Sequence, residues 1–177
     1  FVQYGPAVKA LAEDGCAMLF AGTAMELLGA SVTDKEGETY SGIGLAAFTT
    51  VQGSRRIVGD VYGSTDLYPE PVVGFMNKCG ETHGVGTPLL TGLTMGFGNE
   101  AEKGPEGLHW KNVFASELTG PLLVKNPRLP EAVAAAICAR RGIPLPEERP
   151  SFPYAEAGYA ITAEQLNLQY VDDNKVD

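Results

Sequence analysis

Groups able to act as nucleophiles or bases are scarce in this chain. Its thiols are Cys16, Cys79 and Cys138, and its imidazoles are His83 and His109. A cysteine attacks as a thiolate, so it needs an adjacent base or a lowered pKa. Cys79 and His83 lie four apart, but the stretch around them, "NKCGETHG", is rich in turn formers and reads as a loop or strand end rather than a helix. The stretch "LFAGTAMELLG", residues 19–29, offers a different possibility. An apolar run over 16–21 stops at Gly22, and a short helical stretch follows at once. Many enzymes mount a nucleophile on such a strand-turn-helix unit. Here the apex is Gly22, and the hydroxyl of the following Thr23 needs a neighbouring base. Cys16 begins the same strand, roughly 20 Å from the turn at about 3.3 Å per residue, and reads as core. No CxxC or HxxxH spacing occurs, so no metal site is expected.

The elements that must hold this unit can be read along the chain. "PAVKALAEDG" is the end of a helix stopped by Gly15, and "CAMLFA" has the continuous apolar character of a buried parallel strand. "TAMELLG" is a brief helix ended by Gly29, and "DKEGE" is a charged turn. From Gly42 to about Phe97, short apolar runs alternate with Gly, Pro, Asn and Asp, which predicts several short antiparallel strands. Residues 98–107 form a polar loop, with the acids from Glu100 to Glu106 solvated. "LHWKNVFASEL" adds one or two strands, with His109 and Trp110 facing a core or neighbouring sheet. A helix starts at Pro130, carries Arg140 and Arg141 in its last turn, and stops at Gly142. Pro144, Pro146, Pro150 and Pro153 then impose an extended, irregular stretch. "TAEQLNLQY" is a short last helix capped by Thr162, and the tail frays. Together these give an α/β chain with a mixed sheet, divided into residues 1–142 and a Pro-rich C-terminal extension, 143–177.

Composition bounds the partners. The 177 residues suit one domain with a substantial core, and 44% hydrophobic with 20% charged is ordinary for a globular protein. A net charge of −9 argues against a nucleic-acid partner, which calls for a basic face. No apolar run approaches the about 18 residues of a membrane span. Three cysteines without regular spacing are not a disulfide framework, so a cytoplasmic location is expected. The start at Phe1 suggests that an N-terminal portion precedes it.

Several stretches resemble class I glutamine amidotransferases of the cobyric-acid-synthase type, and among them the amidotransferase subunits of lipid II isoglutaminyl synthases. "GPLLVKNP", residues 120–127, is similar to that family's Gly-Pro-Leu-Leu-Pro-Lys-Asn-Pro stretch. "VVGFMNKCGET", "GFGNEAEKGPEG", "ELLG" and "RRIVGDV" resemble further family segments, in family order from about Leu11 to about Ala139. The resemblance implies a three-layer, flavodoxin-like α/β domain, with the family's first strands and helices mostly absent from this chain. It also implies glutaminase chemistry: an elbow Cys attacks the glutamine amide, a His serves as base, and ammonia passes to a Mur-ligase-like partner that amidates a cell-wall precursor.

The residues matching that dyad are not Cys and His. The family's Cys-Gly-Gly-Tyr-Gln-Leu-Leu-Gly corresponds to residues 22–29, which places Gly22 at the nucleophile position. Its Leu-His-Gly-Pro corresponds to residues 118–121, which places Thr119 at the base position. The residues after Gly22 differ as well, which fits drift rather than a single replacement. The resemblance places Arg56 where the family binds glutamine, so glutamine or another carboxylate is the implied ligand. The alternatives are a solvated Arg56, or Arg55 as the true match. No cofactor is implied. Two function classes follow: a non-catalytic structural or regulatory partner of a Mur-ligase-like amide ligase, or a working amidotransferase or hydrolase that uses unrecognised residues.

Overall fold

The computed structural model describes residues 1–119, 121–148 and 150–173. Gly120 of the "GPLLVKNP" stretch lies outside the described residues, as do 174–177 of the tail expected to fray over 172–177; residues 172 and 173 of that tail are helical instead. A 3-10 turn, Val2–Tyr4, leads into α1, Gly5–Glu13. Gly15, at φ +76°, ends α1: its N–H donates to Ala12 O, and that of Cys16 donates to Leu11 O. These paired bonds satisfy the last helical carbonyls, as the sequence predicts.

Strand β1, Met18–Ala21, follows. It runs parallel to β8, Val113–Ser116, and β8 pairs antiparallel with β7, Leu108–Trp110, giving the order β1-β8-β7. β1 is parallel as expected, but it edges its sheet and alternates in burial, with Leu19 38% exposed. The second sheet has the order β3-β2-β4-β5-β9, with β6 also paired to β4. Its strands are β2, Ser31–Thr33; β3, Thr39–Ser41; β4, Thr49–Ser64; β5, Val72–His83; β6, Gly92–Met95; and β9, Leu118–Thr119. Only the β2–β4 pair is parallel among them. The chain is thus α/β with mixed sheets.

β8 shows how the layers form. Val113 and Ala115 pack with Ala12 of α1, Met25, Leu28 and Phe48. Phe114, on the opposite face, packs with Met76, Leu118, Leu122 and Leu129. The last two belong to α2, Leu122–Lys125, and α3, Arg128–Arg141. The strand period of two therefore feeds two cores, and each fully buried Leu or Phe contributes about 1.5–3 kcal/mol.

Four local expectations are corrected. The several short strands between Gly42 and Phe97 are mainly one long hairpin of β4 and β5, because glycines that read as breaks lie inside it. A Cβ on Gly74 would come within 2.7 Å of the Leu118 side chain, and one on Gly80 within 2.7 Å of Gln52 Nε2. These positions require close approach rather than a turn. "TAMELLG" is two 3-10 turns, Gly22–Ala24 and Glu26–Leu28. The carbonyls of Leu27, Leu28 and Gly29 accept from Ile43, Leu45, Ala46 and Gly44 N–H groups instead of an extended helix. α3 begins at Arg128 rather than Pro130, since a proline in the first turn forfeits no helical bond. The last helix, α4, spans Pro153–Asp173, and Thr162 sits inside it, donating to Gly158 O at 2.8 Å. Pro153 opens α4 at a position that needs no N–H. Tyr159 then ties it to Pro71 O at 2.8 Å, and Leu166 is buried. No helix among the described residues is long and apolar enough to cross a membrane.

Candidate functional site

β1 ends with Ala21 in extended geometry, φ −118° and ψ 146°, and the chain then reverses at Gly22, φ +64°. Met25 N–H donates to Gly22 O at 3.0 Å, closing the first 3-10 turn. A side chain at an L-residue in that backbone region costs on the order of 1–3 kcal/mol, which glycine avoids.

The β1–β8 register sets Ala21 beside Ser116, and the chain continues from Ser116 through Glu117 into β9. Thr119 ends β9, opposite Phe75, and its hydroxyl donates to Phe75 O at 3.0 Å. A Cβ on Gly22 would lie 4.0 Å from Thr119 Cγ2. Two residues 97 positions apart (119 − 22) therefore meet across one turn. A threonine hydroxyl has no basic lone pair near neutral pH, so this pair cannot move a proton as Cys and His would.

Arg56 lies near the same rim. β4 and β5 lose register between Gln52 and Ile57, which pair with Gly80 and Lys78 respectively. Residues 53–56 therefore bulge opposite Cys79 alone. The bulge presents Arg55 and Arg56 to solvent, and Arg56 Nη1 donates to Asn77 Oδ1 at 2.8 Å. Asn77 is two residues beyond Phe75 on β5, about 7 Å along the strand from the partner of Thr119. Arg56 is thus held by a neutral amide on the strand that pairs with Thr119, and its fork is of the kind that suits a carboxylate.

The remaining sequence candidates do not converge there. Cys79 and His83 sit on β5, four residues and about 13 Å apart, too far for a dyad. His83 Nδ1 instead lies 3.3 Å from Glu100 Oε1. Cys16 follows the α1 cap, and Cys138 is on α3; all three cysteines are free thiols. Thr23 is exposed on the first 3-10 turn. His109 stacks on Phe114 with ring centroids 4.8 Å apart, and burial lowers its pKa. No metal-binding group of three side chains occurs among the described residues.

The expectation of a solvated loop fails at Glu106, which is fully buried. It belongs to a charged cluster directly behind the Gly22 turn. Lys78 Nζ donates to Glu117 Oε2, to Gly98 O at 2.9 Å and to Asn99 O at 2.6 Å. Glu106 accepts from Ser116 Oγ and, at 2.7 Å, from Glu117 N–H. Glu26, on the second 3-10 turn, accepts from Gln52 Nε2 at 2.6 Å. Burial pushes the carboxyls of Glu26 and Glu106 up to about 7, and the Glu117 charge raises Glu26 further. Burial also raises Glu117, against the pull of Lys78. A pattern signal existed for one member: Met76, Lys78, Gly80 and Thr82 share the inward face of β5 at period two, which puts a lysine among core residues.

Comparison with known proteins agrees with this architecture. Residues 3–127 match the CobB/CobQ-like glutamine amidotransferase domain. Over 139 residues the chain is 34% identical to the lipid II isoglutaminyl synthase (glutamine-hydrolyzing) subunit GatD of Staphylococcus aureus, covering 78% of this chain and 56% of that protein. It is 33% identical over 118 residues to the subunit of the same name from Streptococcus pneumoniae, covering 66% of this chain and 45% of that protein. The chain thus spans about half the length of the curated relatives it matches.

Proposed function

Because this chain belongs to the CobB/CobQ-like glutamine amidotransferase family, we propose that it is an amidotransferase-like subunit in cell-wall precursor amidation whose own glutaminase chemistry is lost. The observation that carries the reading is the Gly22 turn: it has an elbow's backbone, but it brings Thr119 rather than an imidazole to the apex. Without a thiolate there is no covalent route to the glutamyl thioester, and without a base no proton is drawn from a nucleophile. Backbone N–H groups alone leave only weak residual catalysis.

The role left is structural or regulatory, toward a Mur-ligase-like subunit that forms the amide with ATP. The two GatD relatives are named as subunits of a glutamine-hydrolyzing synthase, which supports a partner of that kind. Residues 1–142 form the amidotransferase-like part in this reading, with 143–177 as an extension. Arg56 keeps the capacity to hold the carboxylate of glutamine or a similar ligand.

The test is ammonia release from glutamine by the purified chain, alone and with a Mur-ligase-like subunit. No release above background is expected. Release that depends on this chain would overturn the proposal, and its loss in Thr23→Ala or Cys79→Ala would identify the residue responsible.

A further inference from the structure

Three carboxyl groups and a single ammonium share the buried space behind the Gly22 turn. Glu26, Glu106 and Glu117 are 5%, 0% and 1% exposed, and Lys78 is 4% exposed. Lys78 spends its three donors on Glu117, Gly98 O and Asn99 O. Glu26 Oε2 and Glu117 Oε2 each have a donor, but their Oε1 atoms are buried with none. Three carboxylates against one ammonium leave two uncompensated negative charges in the core. An uncompensated charge in a low-dielectric site costs several kcal/mol, and a carboxyl group escapes that cost by keeping its proton.

Glu26 is the member best placed to hold it. Glu106 receives the Ser116 hydroxyl and the Glu117 N–H, and Glu117 receives Lys78. Glu26 receives only a neutral amide, from Gln52, and its Oε1 packs 3.1 Å from where a Gly80 Cβ would stand. The groups acting on Glu26 are neutral Gln52 from β4, Lys78 from β5 and Glu117 from the β8–β9 junction, and Glu106, from the loop before β7, is bonded to Glu117 N–H. The stronger charge acting on Glu26 is therefore another carboxylate, that of Glu117, partly offset by Lys78.

We propose that this cluster is a proton-binding site, in which protonated Glu26 latches the Gly22–Leu28 turns onto the β4–β5 hairpin and releases its proton in the neutral range. When Glu26 ionises, desolvation and repulsion from Glu117 push it outward, and the 3-10 turn that carries it loosens. The face containing Gly22 and Thr119 is thereby coupled to pH. The raised pKa of Glu26 supports this reading, and the coupling holds whether or not glutamine is hydrolysed.

The full chain, labelled at its glutamate carboxyls, can be titrated by carbon NMR while amide exchange is followed in parallel. The Glu26 carboxyl is expected to titrate near pH 7. Protection factors for the amides of residues 23–28 are expected to fall about tenfold between pH 6 and pH 8, as a proton held in the closed turn and lost in the open one requires. Both signals should vanish in Glu26→Gln. A fall in protection that survives Glu26→Gln and disappears in Glu106→Gln would put the controlling proton on Glu106 and overturn the latch. So would glutamates that all titrate in the ordinary range in the unsubstituted chain. Gln52→Ala removes the neutral donor to Glu26 and offers a milder check. It should move the midpoint upward, and an unmoved midpoint counts against the proposal.

Discussion

Gly22, Thr119 and Arg56 lie at the partly exposed edge of the molecule, whereas Glu26, Lys78, Glu106 and Glu117 lie a few residues away in its interior. The edge has a left-handed glycine turn set against a threonine side chain. The interior has a cluster of titratable groups that are each buried. This contrast teaches that perturbed carboxyl groups alone do not mark catalysis. Structural networks shift pKa values by the same desolvation that active sites use. What separates the two regions is access: Glu106 is sealed at 0% exposure, while Arg56 stands in solvent.

The comparison can be broken most forcefully at Lys78. Lys78→Met removes the only ammonium and leaves three buried carboxyls, and a loss of about 3–5 kcal/mol is expected from chemical denaturation. A change under about 1 kcal/mol would show that the charges are solvated and the interior is not what it is taken for. The next effect is in pH. Glu26 has a folded pKa of about 7 against an ordinary 4.5, so folding binds a proton across that window. Its contribution is fully present below about pH 4.5 and is lost as pH rises through about 7. It amounts to about 2–3 kcal/mol. Denaturation midpoints should therefore fall from pH 5 to pH 8 in the unsubstituted chain, and fall less steeply in Glu26→Gln.

A smaller effect is expected at the edge. Gly22→Ala places a Cβ at φ +64° with open space around it, since the nearest atom outside the turn is Thr119 Cγ2 at 4.0 Å. The cost should be backbone strain alone, about 1–2 kcal/mol by thermal or chemical melting. A stabilising Gly22→Ala would mean that the turn is not held as described. Arg56→Ala sharpens the contrast from the other side. Its partner is one exposed amide, so stability should change by less than about 0.5 kcal/mol. Binding of glutamine, read by calorimetry or chemical-shift change, should be lost if Arg56 holds its carboxylate.

Local chemistry was readable wherever the determinant was a residue's own backbone preference or a cap. Gly15 and Gly142 end helices at φ +76° and +64°, and the strand-turn unit at Gly22 lies where an apolar run meets a glycine. The α/β class followed from the order of such units. The sequence misled where a glycine serves close approach rather than a turn. Gly74 and Gly80 read as strand breaks, yet they let Leu118 and Gln52 sit against the backbone of β5. It also misled at α4, where local signals marked only the end of a helix that packing on β4, β5 and β6 extends to 21 residues.

By itself, then, the chain specified its helix stops, its acidic balance and the types of residue at the turn, because these depend on φ preferences, charge count and short-range spacing. Tertiary structure alone decided that Thr119 lies against Gly22, that Cys79 and His83 stay about 13 Å apart on one strand, and that Glu26, Lys78, Glu106 and Glu117 share one space. Gly22 and Thr119 are 97 positions apart, Glu26 and Glu117 are 91, and the parallel β1–β8 register and the β5–β9 pairing help bring them together. Charge in a sequence does not say whether water will reach it; the folded core does, and with it whether a carboxyl keeps its proton.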